Sequence, residues 1–356
     1  MERKSMKQWL NAIVAGVMLV ASMAAMAAGS RAFVPMGSAD AVGIIDLESY
    51  QVMSSIPDTI NTHGSALTPD GRYLVAGSLT PRDIKENVSR PEDVTEDEHA
   101  AHHGDGEKSA TNQQSTGLLY VVDTTTNAIV RKLEVPGPVH HVLVTADGRY
   151  AVSTHPMGGG ISVVSLDSGK LVETVATGPN PNYVVESEDG QSLLVSNAGN
   201  GTVSEIDTQH WFVERNIRVG GSPEHMALSP DNRRLYVNDD SAGRVIVLDL
   251  PDGSVVGEHD VGDAPHGVGL SPDGQILYAT SQGDDRLVRI TLDDGTRQSI
   301  TLAPAPYHLA VVPDDGRLLV TSREESKLWV LDPVSLDVLH TLPLDGIGHQ
   351  ISLNAR

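Results

Sequence analysis

Apolar residues along the chain come in short bursts of strand length, each closed by a cluster of Gly, Pro, Asn, Asp or Ser. One stretch shows the pattern. An apolar segment ends in the turn Pro230-Asp231-Asn232, followed by Leu235-Tyr236-Val237-Asn238, then Arg244-Val245-Ile246-Val247-Leu248-Asp249, then Ser254-Val255-Val256. Aromatic and β-branched residues favour pleated structure, and Asp/Asn/Gly pairs favour the tight turns of hairpins. Four short strands are therefore predicted, and no helical period competes with them.

The four-strand unit repeats. His63-Gly64-Ser65-Ala66-Leu67-Thr68-Pro69-Asp70-Gly71 and His266-Gly267-Val268-Gly269-Leu270-Ser271-Pro272-Asp273-Gly274 are copies of one segment. Equivalents of the histidine that opens each copy fall at His63, His140, Asn182, Glu224, His266, His308 and His349, spaced by 77, 42, 42, 42, 42 and 41 residues. The one long spacing coincides with a charged, low-complexity insertion at about 79–117. Four strands per repeat of this length predict an all-β fold, a seven-bladed β-propeller. The chain ends just after the seventh copy of the segment, His349 to Leu353, so that blade lacks three strands. Ala32-Phe33-Val34, Val42 to Asp46 and Tyr50 to Met53 can supply them. Closure of the ring by one C-terminal strand joined to three N-terminal strands is predicted, which also removes free sheet edges.

Composition narrows the chemistry. The 356 residues contain no cysteine, which excludes disulfides, thiolate metal sites and covalent haem attachment through Cys-x-x-Cys-His. A net charge of -22 opposes nucleic acid and anionic membranes. Residues 1–28 read as a signal peptide: Arg3, Lys4 and Lys7 precede an apolar run from Leu10 to Met23, and Ala25-Met26-Ala27 fits the small-x-small cleavage rule. Residues 29–356 then form the propeller, in the periplasm or secreted, with no membrane insertion after cleavage. Loss of Glu2, Arg3, Lys4 and Lys7 removes a net +2 and leaves -24. A monomer is expected.

The Ser-Pro-Asp turns followed by Leu-Tyr-Val-Asn at Ser229 to Asn238, and Leu-Leu-Val-Ser-Asn at Leu193 to Asn197, resemble the YVTN-repeat propellers of bacteria and archaea. That group is related to the haem propellers of nitrite reductases. The resemblance covers nearly all of the chain after residue 28 and implies the fold; its members include enzymes, binding proteins and surface proteins, so it does not fix a function.

The first strand of each propeller blade lies nearest the axis, so the seven equivalent positions form a ring at one end of the channel. Five of the seven are histidine (His63, His140, His266, His308 and His349) in a chain with 14 histidines in all, far above chance. The next position adds His141 and His225. Fifteen residues after the ring position in their blades, at the return of the second strand, lie Ser78, His155, Asn197, Asp239, Ser281 and Arg323. Converging imidazoles are ligands for copper or zinc, and no thiolate competes. His63, His140, His141, His225, His266, His308 and His349 are thus the candidate metal ligands, with His155 and Glu224 in secondary positions. A histidine ring with an adjacent pair, His140-His141, is similar to the copper-cluster propeller of nitrous oxide reductase, although Asn182 and Glu224 interrupt it and the cysteine of an electron-entry copper site is missing.

The insertion carries His99, His102 and His103 among six carboxylates from Glu92 to Asp105, a composition that suits a disordered acidic loop or metal capture. Catalysis stays open, since no nucleophile-elbow motif is present, although Glu224, His225 and Asp239 could make a metal-assisted acid–base set. Tyr183 and Tyr307 lie beside the ring, as substrate donors or as filling for the mouth. Three functions remain: a copper or zinc site for metal handling or a metal-dependent reaction, a metal-free scaffold that holds a protein or peptide on one face, and a haem- or cofactor-binding propeller with a pore histidine as axial ligand.

Overall fold

A computed structural model describes residues 30–83 and 115–354. The predicted signal segment at 1–28 and the part of the insertion that carries His99, His102 and His103 lie outside the described residues. Among the described residues no helix is long and apolar enough to cross a membrane.

Seven antiparallel sheets follow one another along the chain, each built on four strands in sequence order; the first carries a fifth, two-residue strand, and the last is shared between the termini. They are numbered here as blades one to seven from Thr62. Blade four is typical: Pro223–Leu228, Arg234–Asp239, Arg244–Asp249 and Ser254–Asp260. Its second and third strands are buried almost throughout, while the outermost is mostly exposed. Alternate residues of the inner strands face the neighbouring blades, and the core is therefore a set of layers between sheets rather than one central cluster. Tyr236, Val245 and Val247 of blade four meet Val268, Leu277, Val288 and Ile290 of blade five in one such layer. Trp329 is buried against Tyr278 and Leu287 in the next.

The ring closes as its repeats predict. Ser352–Asn354 pairs with Arg31–Met36, with Phe33 opposite Ser352 and Arg31 opposite Asn354; Ala41–Asp46 and Gln51–Ile56 complete blade seven. The C-terminal strand is shorter than its sequence suggests. It begins at Ser352, and His349 is anchored instead by its backbone N–H donating to the Pro35 carbonyl at 2.9 Å. In blade one the strand pairing runs further than expected: Ser115–Asp123 pairs with Tyr73–Ser78, with Ala128–Pro136 and with the two-residue strand Arg82–Asp83. Part of the insertion is thereby drawn into the sheet.

Candidate metal centre

In five blades the innermost strand begins with an irregularity, and the site is built on it; in blades two and seven the equivalent residues precede the strand. In blade five Pro265 pairs with Ser281 and Val268 with Ala279, so that His266 and Gly267 together stand opposite the single residue Thr280. The same extra residue recurs at Thr62/Ser65, Pro181/Val184, Pro223/Met226 and Pro306/Leu309. A regular strand sends neighbouring side chains to opposite faces; a bulge re-aims them. Two consecutive positions per blade can therefore face the axis. The first carries His63, His140, Asn182, Glu224, His266, Tyr307 and His349, and the second Gly64, His141, Tyr183, His225, Gly267, His308 and Gln350.

This register corrects one sequence alignment. His308 is the equivalent of Gly267, and Tyr307 is the equivalent of His266, because Pro306 pairs with Ser322 as Pro265 pairs with Ser281. The connection before blade six is one residue shorter than the others, and alignment on histidine identity concealed it. For the same reason Ser322, not Arg323, is the counterpart of Ser281.

The bulges are locked by the residue opposite them. Thr280 Oγ1 accepts from the Gly267 N–H at 2.8 Å and donates to the Tyr307 carbonyl of the next blade at 2.6 Å. Thr154 Oγ1 likewise accepts from the His141 N–H at 3.0 Å and donates to the Asn182 carbonyl at 2.9 Å. Ser196 and Thr321 take the N–H groups of Tyr183 and His308, and the Asn238 amide donates to the His266 carbonyl. Each buried hydroxyl or amide ties the backbone of a pore residue within or between blades, which fixes the ring before any ligand arrives. A polar residue inside an otherwise apolar second strand, as in Val-Ser-Thr-His or Tyr-Ala-Thr-Ser, was the sequence signal for these supports.

All seven candidate histidines converge. His63, His141, His225, His266, His308 and His349 are buried, and His140 is partly so. His63, His141 and His308 form a nearly equilateral triangle with ring centroids 5.1, 5.4 and 5.6 Å apart. Around it lie three sets of imidazoles whose nitrogens come within 4.8 Å of one another: His63 with His140 and His141, His63 with His308 and His349, and His141 with His225 and His308. His266 stands outside these sets. Its Nδ1 is 3.1 Å from Glu224 Oε2 and its ring stacks on Tyr307 at 3.9 Å. The Tyr183 ring is packed against His141 and His225.

Protonation states follow from the partners. A carbonyl can only accept, so the 2.9 Å contact between His141 Nδ1 and the Asn182 oxygen fixes the proton on Nδ1. Nε2 of His141 then presents a lone pair 3.0 Å from Nε2 of His225. That gap suits a shared proton in the metal-free protein, and it is close to the separation of about 3.3 Å between two imidazole nitrogens on one tetrahedral ion. Several ring nitrogens have no hydrogen-bond partner although they are buried: both of His63, Nδ1 of His140 and His349, and Nε2 of His266 and His308. Burial, with the neighbouring imidazoles adding to it, holds His63, His141, His225 and His308 well below the ordinary imidazole pKa; His266 is lowered as far, by burial first and then by His140 and Arg323. His140 is lowered to about 4 and His349 to about 3, again by burial first. At neutral pH the cluster is uncharged, which is the form that binds metal.

Other candidates sit apart. His155 is fully engaged: its Nδ1 donates to the Pro138 carbonyl at 3.0 Å and its Nε2 is 2.8 Å from Ser162 Oγ. Asp239 is buried, accepts from the Ser222 N–H and the Ser241 hydroxyl, and pairs with Arg244. It does not join Glu224 and His225 in one constellation.

A family model described as "Lactonase, 7-bladed beta-propeller" matches residues 148–338, more than half of the chain. Among curated proteins no sequence matches. Similar solved structures include a protein provisionally named as a 6-phosphogluconolactonase from Bacteroides fragilis NCTC 9343, at 15% identity and a TM-score of 0.70, covering 91% of this chain and 97% of that one. Kuenenia stuttgartiensis hydrazine synthase is 17% identical with a TM-score of 0.67, over 86% of this chain and 92% of that chain. Dihydro-heme d1 dehydrogenase NirN in complex with DHE is 17% identical with a TM-score of 0.61, over 88% and 63%. Likeness at this level of identity carries the fold alone.

Proposed function

The chain belongs to the seven-bladed β-propeller lactonase family, and from that premise we propose that this member binds a transition metal ion, copper or zinc, among the histidines at the mouth of its pore. One observation carries the reading: buried, neutral imidazoles from several blades bring unpartnered ring nitrogens to within one ion's reach of each other. An unsatisfied buried polar atom costs about 1–3 kcal/mol, and several at one place call for an ion, a ligand or ordered water to satisfy them. Imidazole suits copper and zinc, and metal binding would repay the desolvation of every ring it engages. The tight spacing of the rings favours a bare ion over a macrocycle at this position, since His63 lies only 4.4 Å from His140 and 4.2 Å from His349 between centroids.

The role is metal handling or a metal-dependent reaction in the periplasm or outside the cell. The family name makes lactone hydrolysis the first activity to assay, because an ion held by neutral imidazoles lowers the pKa of a bound water and polarises an ester carbonyl. The decisive experiment is metal content by mass spectrometry after exposure to copper or zinc, beside a chain with His63→Ala, His141→Ala and His308→Ala, the residues shared between the three sets. Expected is about one or more ions per chain, lost in the variant with folding retained. Absence of metal from the unaltered chain would sink the reading and leave a scaffold that holds a protein or peptide on one face.

A further inference from the structure

The rim above the histidines bears one positive charge that the repeat does not explain. Leu79, Ala198, Asp240, Gln282 and Arg323 occupy one position in their blades. Each donates its backbone N–H to the equivalent carbonyl: Asn61, Asn180, Ser222, Ala264 and Ala305, at 2.9, 3.0, 3.1, 3.2 and 2.8 Å. Arg323 is the only cation in that column. Its guanidinium carbon lies 4.9 Å from the centroid of Tyr307, the ring that stacks on His266. Its charge reaches His140, His266 and His349, whose pKa values it helps to lower. Among the described residues no carboxylate lies within 4.0 Å of it, although it is exposed on a strongly acidic protein.

Two charge arguments meet here. A divalent ion held only by neutral imidazoles keeps its full charge in a buried place, which is costly unless an anion accompanies it. Among the described residues the carboxylate in contact with the cluster, Glu224, is engaged by His266 Nδ1, and the half-buried Asp240 adds negative charge near Glu224 and Tyr307. An unpaired guanidinium beside a dication is repulsive, and it becomes attractive only with an anion between the two. Resting on the metal reading above, we propose that Arg323 and the histidine-held ion together form a subsite for a small anion with oxygen donors, such as a carboxylate or an inorganic oxyanion. One oxygen would meet the ion and another the guanidinium, whose planar fork suits two-point binding of oxyanions. Tyr307 sets the guanidinium in place through its ring face.

The test uses copper-loaded protein and follows the visible copper absorption as acetate, and separately sulfate, is added. Saturable binding is expected, weakened at least tenfold by Arg323→Gln and restored in part by Arg323→Lys, with copper content the same in all three. Acetamide, the neutral counterpart of acetate, should bind equally poorly to all. Acetate but not sulfate would place the ligand among carboxylates, and the reverse among tetrahedral oxyanions. Equal anion affinity in the Arg323→Gln chain, or no saturable binding, overturns the subsite while the metal site stands. A chain that takes up neither copper nor zinc overturns both, and the metal content separates that outcome from the others.

Discussion

The innermost strands have two ends, and the two are built on opposite principles. At the end remote from the histidines, a hydroxyl and an aspartate form the same turn in five blades: Thr68 with Asp70, Thr145 with Asp147, Ser187 with Asp189, Ser229 with Asp231 and Ser271 with Asp273, at 2.5 to 2.7 Å. Each aspartate also accepts a backbone N–H two residues on, and each hydroxyl accepts one five residues on. The motif repeats without change because turn geometry and local hydrogen bonding are all it serves. At the histidine end the backbone is just as regular, yet side chains change from blade to blade and buried ring nitrogens have no partners. Repetition with polar groups satisfied marks what the fold requires. Departure from repetition, with polar groups unsatisfied, is where the proposed ligand would act.

Acid should separate the ends most sharply. A histidine whose pKa is lowered in the folded chain takes up its proton first in the unfolded chain, so stability is lost as pH falls below the unfolded value of 6.5. Each such ring contributes about 1.4 kcal/mol per pH unit until its folded value is reached. For His140 the loss levels off near pH 4 and for His349 near pH 3. The turn aspartates lose stability in the same direction, but over a lower pH window and for a different cause. Hydrogen bonds from their Ser or Thr partners lower Asp70, Asp189, Asp231 and Asp273 below 3.8, so their contribution is intact above that value and fades only as pH falls through the lowered one. Denaturant midpoints of the metal-free protein should therefore decline already between pH 6.5 and 4, and less steeply in the chain with His63→Ala, His141→Ala and His308→Ala. A midpoint that stays level down to pH 4 would mean that water reaches the rings and that the contrast between the ends is one of composition only.

How far each end could be read from the sequence follows from the same contrast. A period of about 42 residues, with turn chemistry in register, defines seven sheets and their closure before any coordinate is known, because every copy reinforces the others. The histidines were visible as residues, and all seven meet. Their geometry was not visible, since a bulge adds one residue without any marker of its own and brings two neighbours to one face. His308 passed for the counterpart of His266, although Tyr307 holds that place, because the connection before blade six is one residue shorter than the others. His155 and Asp239 looked like site residues because position alone was legible, and their satisfied hydrogen bonds were not.

A smaller effect tests whether the supports belong to the site. Thr280→Val keeps shape and removes the hydroxyl that serves the Gly267 N–H and the Tyr307 carbonyl, both in buried backbone. A loss of about 1–3 kcal/mol in unfolding free energy is expected. Metal affinity should fall too, by up to about tenfold, because the bulges that aim His266 and His308 lose a common anchor. Lowered stability at unchanged affinity would make the hydroxyl row part of the fold alone.

The mildest prediction is the strictest test of the comparison. Ser229→Ala removes a hydroxyl that donates to Asp231 and accepts from the Arg234 N–H at 2.9 Å, next to a turn that water reaches. Water can replace part of what is lost, so about 0.5–1.5 kcal/mol of stability should go, read from chemical denaturation. Metal content and affinity should not move, even though Ser229 directly follows Pro223–Leu228, the strand that holds Glu224 and His225. A strand transmits such a change only by shifting its register or its bulge, and its register here is pinned at Met226, Ala227 and Leu228 against Val237, Tyr236 and Leu235. An affinity loss as large as that of Thr280→Val would show the two ends to be mechanically coupled, and the division of the strand into a structural end and a ligand end would fail.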